Sequence, residues 1–227
     1  MLYSFPGKAL VDRNIPKNAI YSAGHVSSRV KELFVSQVDR IVLSHALLPQ
    51  STNIPATTDV AEIDIFRIDL RQEKLDLNVL KAIDGAMPRP AIFELHFEGR
   101  ARLTACYKRP NEADRSKWVR SEYFSTDWIG SDSERVPLPA ALNLGILYDH
   151  LLRGIIPIAS GERESIASLI SRMEKIRVKQ READQMAGRL AKEKQFNRKV
   201  ELNSKLRQVR KELVSLTTEN TEGHGNG

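Results

Sequence analysis

The sequence predicts an α+β protein: one mixed β-sheet with flanking helices, followed by a long, coiled-coil-like helical arm at the C-terminal end. Two observations predict it. Apolar residues recur with period two in some stretches and with helical spacing in others, in a mixed order. Residues 162–217 contain no proline and only one glycine, Gly188, which is typical of extended helix. We therefore expect a globular domain over 1–157, a charged helical arm over 162–217 and a disordered tail over 218–227.

The first part of the domain predicts a helix, a strand and a second helix. Apolar residues from Val30 to His45 follow i, i+3, i+4 spacing, which favours one helix that ends at Leu48-Pro49. Isoleucines separated by acids predict a strand over 62–70. Helical spacing returns over 75–87 and stops before Pro88.

The second part of the domain predicts a hairpin, another strand and a buried helix. The elements are strands over 91–97, 101–108 and 119–129, and a helix over 137–153. A turn at Glu98-Gly99-Arg100 joins the first two of these strands. Helix 75–87 is long enough to be a crossover, so we expect the strands before and after it to be parallel and the later strands antiparallel.

The arm carries two apolar stripes that do not share one register. The first stripe is Ile166, Leu169, Met173, Ile176, Ala183, Ala187 and Leu190; the second is Leu202, Leu206, Val209, Leu213 and Leu216. A shift of two residues turns the second stripe by about 200° on a continuous helix. We expect two helical arms hinged near 188–200, or one helix that touches different neighbours. The remaining alternative is that both stripes pack on the chain's own domain.

The basic excess of the chain lies on the arm. Residues 162–217 have a net charge of +7, whereas residues 1–161 have +1. Candidate nucleic-acid contacts are Lys192, Lys194, Arg198 and Lys199. Lys and Arg are also good helix formers on a solvated face, so the charge alone does not establish such binding.

A lone aromatic residue, Phe196, lies between the two stripes of this charged arm. With the apolar residues that follow, it predicts a surface for a protein partner or for self-association. The candidate partner-binding residues are Phe196, Val200, Leu202, Leu206, Val209 and Leu213.

Composition favours a cytoplasmic protein. No apolar run approaches the ~18 residues of a membrane span, so we expect no membrane partner. The first residues lack the basic start and apolar run of a signal peptide. The single cysteine, Cys106, cannot form an intrachain disulfide.

Motifs for metal or nucleotide chemistry are missing from the sequence. The five histidines are scattered, and there is no Cys-x-x-Cys, Walker loop or Gly-x-Gly-x-x-Gly. We expect no metal and no cofactor. One catalytic hypothesis is a metal-dependent nuclease or toxin effector that uses Glu62, Asp64 and Glu94 of the central strands. His96 occupies the position of the expected lysine, and the same acids suit the solvent face of a half-buried sheet.

Six segments distributed over nearly the whole chain form a recognisable set. They are Ile15–Lys17, Val30–Phe34, Leu47–Asn53, Glu62–Phe66, Tyr123–Trp128 and, most specifically, Glu193–Asn203. The set resembles an uncharacterised prokaryotic family, the domain of unknown function numbered 4391. That family has no established activity, so the resemblance implies no catalytic residue. Its genes are often found beside those of helicases and DNA methyltransferases, in clusters that look like restriction or phage-defence loci.

These observations together predict a non-catalytic accessory or adaptor subunit of a DNA-handling assembly, of the restriction-modification or phage-defence kind. We expect it to dock through its arm on a protein such as a helicase or a DNA methyltransferase, or on a second copy of itself. The nuclease or toxin effector, and direct nucleic-acid binding by the basic arm, are the two alternatives.

Overall fold

The computed structural model describes residues 1–87, 89–115, 117–161 and 163–218. The chain divides into two compact units, Met1–Pro157 and Ile158–Gly227. Most of the tail predicted over 218–227 lies outside the described residues, as does Glu162 at the start of the predicted arm. The first unit carries the β-sheet, and the described part of the second is helical.

The first unit contains strands and helices in mixed order. Its strands are β1 (Leu2–Ser4), β2 (Leu10–Asn14), β3 (Val38–Leu47), β4 (Ile63–Leu70), β5 (Ala91–Phe97), β6 (Arg100–Pro110), β7 (Trp118–Ser125), β8 (Ile129–Gly130) and β9 (Arg135–Pro137). Its helices are α1 (Lys17–Gly24), α2 (Ser28–Gln37), α3 (Pro49–Thr52), α4 (Leu77–Ala86) and α5 (Leu144–Arg153), and a 3₁₀ turn covers Gly7–Ala9.

The main sheet has the strand order β2-β3-β4-β5-β6-β7, with β8 beside β6. Strands β4 and β5 are parallel and α4 connects them, while the other neighbours in the sheet are antiparallel. The predicted α+β class, the mixed sheet and its parallel pair are therefore confirmed. The hairpin between β5 and β6 turns through Glu98 (φ 46°) and Gly99 (φ 71°), two positive φ values that suit a tight two-residue turn.

The helix predicted from Val30 to His45 is wrong in its second half. Helix α2 starts at its N-cap Ser27, which accepts a hydrogen bond from the amide of Val30, and it ends at Gln37. Residues Val38–Leu47 form β3 instead. The strand is buried on parts of both faces, and irregularities after Val38 and Leu43 interrupt its alternation, so its apolar residues imitate helical spacing. Its β-branched residues favour the extended form.

The helix predicted over 137–153 begins later than expected. Pro137 ends β9, and α5 starts at Leu144, after the side chain of Asn143 accepts a hydrogen bond from the amide of Ile146 at 2.9 Å. The N-cap, rather than the upstream proline, therefore sets the start of this helix. The strand predicted over 119–129 is likewise divided into β7 and β8.

One face of the sheet is closed by α1, α2 and α4. Ile20, Phe34 and Ile83 from these helices belong to the same buried cluster as Phe66 and Phe93 of the central strands. The two phenylalanine rings stack with their centroids 5.7 Å apart. This cluster forms the main core on the helical face of the sheet.

A buried ion pair lies where α4 meets the sheet. Lys108 Nζ on β6 is 2.7 Å from Asp84 Oδ1 on α4, and each side chain is only 1% exposed. The ammonium also donates to the carbonyl oxygens of Met87 at 3.1 Å and Arg89 at 2.6 Å. Asp84 accepts further hydrogen bonds from the Tyr123 hydroxyl and from the Cys106 thiol. Both charges are thus paired and hydrogen-bonded, as buried charges must be.

The second unit contains two helices, α6 (Ile166–Lys192) and α7 (Phe196–Thr218), interrupted at residues 193–195. The helices run antiparallel, because Arg172 near the start of α6 bonds to the Leu216 carbonyl and Lys179 Nζ lies 2.7 Å from Glu212. Ala183 from the first stripe is buried with Leu206 and Val209 from the second. Parts of the two stripes therefore pack on each other, and the coiled-coil-like packing of the arm stays a prediction.

We expect Lys108→Ala to lower the free energy of unfolding by about 3–5 kcal/mol, because it leaves the Asp84 carboxylate buried without its cation. The control is Lys117→Ala, which removes an ion pair whose lysine side chain is 74% exposed and should change stability by less than about 1 kcal/mol. Urea unfolding followed by circular dichroism measures both. Equal stability of the two variants would show that the buried pair does not hold the fold.

Candidate functional site

The turn between α6 and α7 is organised by the side chain of Glu193. Its Oε1 accepts hydrogen bonds from the backbone amides of Lys194 at 2.8 Å and Gln195 at 2.9 Å. The amides of Gln195 and Lys194 lower the pKa of this carboxyl group. An ionised carboxylate at the start of α7 also suits the positive end of the helix dipole. Phe196 is consequently fixed as the first residue of α7.

Phe196 and Val200 form an exposed apolar pair at this end of the helical hairpin. Phe196 is 77% exposed and Val200 is 54% exposed, and a spacing of four residues places them on the same side of α7. We call residues 189–202, which include this pair, the hairpin tip. The other predicted partner-binding residues differ: Leu206 and Val209 are buried between the helices, whereas Leu202 and Leu213 are half-buried.

Cations surround the exposed pair. The four predicted nucleic-acid contacts, Lys192, Lys194, Arg198 and Lys199, are all exposed at the tip. A shallow groove of about 490 Å³ lies beside them, with Arg189 and Glu201 among its lining residues. The hairpin tip carries Arg189 as a fifth cation against the carboxylates of Glu193 and Glu201, so its net charge is positive.

A second candidate site lies in the first unit, on the sheet face opposite α1, α2 and α4. We call it the sheet cleft; its volume is about 390 Å³, and Arg40, Arg67, Glu94, His96 and Arg135 are among its lining residues. Register places Arg67 of β4 directly beside Glu94 of β5. Polar side chains therefore occupy cleft-facing positions in the centre of the sheet.

Glu94 is the electrostatic centre of the sheet cleft. Arg135 binds it with two hydrogen bonds, Nη2 to Oε1 at 2.6 Å and Nη1 to Oε2 at 3.0 Å, and His96 Nε2 donates to Oε1 at 2.7 Å. Burial alone would raise the pKa of Glu94, but the hydrogen bonds from His96 and Arg135 outweigh it and lower the pKa to about 2. Glu94 is thus an ionised anchor that orients Arg135 and His96.

The three carboxylates proposed for a nuclease do not converge. Alternation along β4 and β5 puts Asp64 on the helical face of the sheet, with Phe66 and Phe93, and Glu94 on the cleft face. Arg89 contacts both Glu62 and Asp64, with its Nε 3.4 Å from Asp64 Oδ2. Burial raises the pKa of Asp64 to about 7. The structure therefore pairs Glu62 with Asp64 and separates both from Glu94.

Comparison with known proteins assigns a family. The model of the family described as "Domain of unknown function (DUF4391)" matches residues 4–213. The chain belongs to this family. No curated protein and no solved structure shows significant similarity to the chain.

Two further features of this family member concern metal ligands and membrane-spanning helices. Among the described residues, no three His, Cys, Asp or Glu side chains come close enough together to hold a metal ion. Likewise, none of the helices described is long and apolar enough to cross a membrane.

Most residues of the sheet cleft lie outside the site residues that the sequence predicts; these are Arg40, Arg67, His96 and Arg135. One signal is present: central strands buried on both faces are mostly apolar, yet Arg67 and Asp69 of β4, and Glu94 and His96 of β5, are polar residues at alternate positions. Arg135 gives no such signal, because it is 41 residues from its partner Glu94.

We expect Glu94 to stabilise this DUF4391 protein in a pH-dependent way. Its pKa falls from 4.5 to about 2 on folding, so its contribution is fully present above pH 4.5 and is lost as the pH falls towards 2. The stability of the wild type relative to Glu94→Gln should therefore shrink by roughly 3 kcal/mol over that range. Urea unfolding at several pH values measures it.

The control for this experiment is Glu112→Gln, whose side chain is 90% exposed in the wild type. It should follow the wild-type stability at every pH. A constant difference between wild type and Glu94→Gln from pH 6 to pH 2 would contradict the depressed pKa of Glu94.

Proposed function

We propose that this protein is a non-catalytic accessory subunit that docks on a partner protein through its hairpin tip. The observation that carries the proposal is the exposed pair of Phe196 and Val200. Leu206 and Val209 of the same helix are buried inside the hairpin, whereas this pair has no such cover among the described residues of its unit. A phenylalanine with 77% exposure is costly to leave in water and is a natural anchor for a binding pocket.

The charge around the pair favours a particular kind of partner. Five cations and two carboxylates occupy the hairpin tip, so a second copy presenting the same tip would meet like charges. A partner with an apolar pocket bordered by Asp or Glu would fit better. Phe196 would fill the pocket, and the cations of the hairpin tip would pair with the acidic residues around it. Charge complementarity thus supports a different protein rather than self-association through the tip.

The family supports a partner in a DNA-handling assembly. Helicases and DNA methyltransferases encoded beside genes of this family are the candidates to which the accessory role would apply. In this proposal the catalytic work belongs to the partner, and this chain supplies a docking surface. The restriction-modification or phage-defence setting rests on gene neighbourhood and is part of the same proposal.

We expect Phe196→Asp to abolish co-purification with a helicase or methyltransferase encoded by an adjacent gene, because a charge replaces the apolar anchor. The matched control is Val178→Asp, which places the same charge at a valine of α6 that is 53% exposed. The complex should survive in the control. Co-expression, affinity purification and size exclusion measure it, with circular dichroism to show that both hairpins are folded. Retention of the complex by Phe196→Asp would reject the proposal.

We also expect the protein alone to be a monomer of 25.6 kDa in solution. Part of the second leucine stripe is already buried against α6, which removes the main reason for self-association through it. Light scattering behind a sizing column measures the mass. A dimer that dissociates on Phe196→Asp substitution would assign the hairpin tip to contact between two copies.

Direct nucleic-acid binding by the arm is the second candidate, because an aromatic side chain among exposed cations can stack on unpaired bases. It predicts binding of single-stranded DNA that weakens steeply between about 50 and 200 mM salt. Fluorescence anisotropy with the wild type and a Lys192→Gln, Lys194→Gln, Arg198→Gln, Lys199→Gln variant tests this. Salt-sensitive binding lost in the variant would favour this candidate over the accessory role.

A further inference from the structure

Two arginines at one end of the sheet cleft share a single carboxylate. Asp69 accepts from Arg40 Nε at 3.1 Å through Oδ2, and from Arg67 through both oxygens, Nε to Oδ1 at 2.8 Å and Nη2 to Oδ2 at 3.3 Å. Both guanidinium groups line the cleft, and their side chains are 53% and 45% exposed. The trio therefore carries one net positive charge, with its arginines oriented by a carboxylate that is only 19% exposed.

The other end of the cleft is aromatic, and the charged groups near it are of both signs. The rings of Phe5 and His45 lie against each other, with centroids 4.9 Å apart and planes inclined by 39°. Burial lowers the pKa of His45, which favours the neutral ring. The carboxylates of Glu94 and Asp12 and the guanidinium of Arg135 all act on His45 electrostatically. Because Arg135 is itself ion-paired with Glu94, this end has no excess of positive charge to attract an anion.

The cleft thus has a flat surface of uncharged rings at Phe5 and His45 and a positively charged surface at Arg40 and Arg67. Its volume of about 390 Å³ is in the range of small-molecule sites. Paired guanidinium groups provide planar, multiple hydrogen-bond donors that match phosphate oxygens. Stacked aromatic rings provide a surface on which a planar ring can continue the stack.

We propose that the sheet cleft binds a phosphate monoester attached to a planar ring, of the size of a nucleoside monophosphate. The phosphate lies between Arg40 and Arg67, and the ring lies against Phe5 and His45. Glu94 is a positioning residue that holds Arg135 and His96 along the floor between these ends. This site is independent of the hairpin tip and of the accessory function proposed for it.

The test uses the full-length protein and three probes: adenosine 5′-monophosphate, adenosine and inorganic phosphate. Titration followed by ¹H–¹⁵N NMR should give the tightest dissociation constant for the monophosphate, with shifts at Phe5, His45 and the arginine-bearing strands. Adenosine, which lacks the phosphate, should bind at least about tenfold more weakly, since charge-assisted hydrogen bonds to phosphate are lost.

Variants at the two ends of the cleft give separate signals. Arg40→Gln and Arg67→Gln should each weaken binding of the monophosphate and of inorganic phosphate by about tenfold. Phe5→Leu should weaken only the monophosphate. Arg29→Gln is the matched control, because Arg29 is an exposed arginine of α2, which packs on the opposite face of the sheet. NMR spectra report directly whether each variant is folded.

The phosphate could belong to a free nucleotide or to the end of a nucleic-acid strand, and a 5′-phosphorylated hexanucleotide distinguishes these sources. Tighter binding of the hexanucleotide assigns a strand end, and tighter binding of the mononucleotide assigns a free nucleotide. The proposal is overturned if adenosine binds as well as its monophosphate. It is equally overturned if the arginine variants bind like Arg29→Gln, or if no probe shifts cleft resonances at millimolar concentration.

Discussion

The ion pair between Lys108 and Asp84 determines how the crossover helix sits on the sheet. Helix α4 joins two parallel strands, and its last turn is tied to β6 by a lysine whose charged group is almost completely removed from water. The same ammonium holds the carbonyl oxygens that lead from α4 into β5. Helix α4, strand β6 and the segment that leads into β5 are therefore all held by the Lys108 ammonium. Such a pair adds little net stability over an apolar contact, but its hydrogen-bond geometry allows few other positions of α4 on the sheet.

This arrangement gives the two faces of the sheet different roles. The face beneath α4 is closed by aromatic and aliphatic packing around Phe66 and Phe93. The opposite side of β4 and β5 is divided: Ile65 and Ile92 are buried there, whereas Arg67 and Glu94 line the sheet cleft. Glu94 shows the division most clearly: it is as central in the sheet as Phe93, yet it serves an ion-pair network in a cleft.

The sequence correctly predicts those helices, strands and turns that are determined by neighbouring residues. Period-two alternation and the Glu98-Gly99 turn identify β5 and β6, and the length of α4 predicts the parallel pairing. The boundary at Gln37 fails because an irregularity in β3 between Val38 and Arg40 lets Val38 and Ile41, three residues apart, enter the same core and imitate helical spacing. The phase shift between the two stripes of the arm indicates that its helix is interrupted. The packing of the stripes on each other, however, depends on residues that are far apart in the sequence. Likewise, nothing local connects Arg135 to Glu94.

The antiparallel course of the hairpin has a practical consequence for experimental design. Phe196 and Thr218 begin and end α7, so a helical rise of 1.5 Å per residue separates them by about 33 Å. A fluorophore, affinity label or surface-immobilisation linker joined after Thr218 would therefore start far from the tip and would not obstruct it. A label in the turn at Lys194, in contrast, would report directly on any molecule that approaches Phe196.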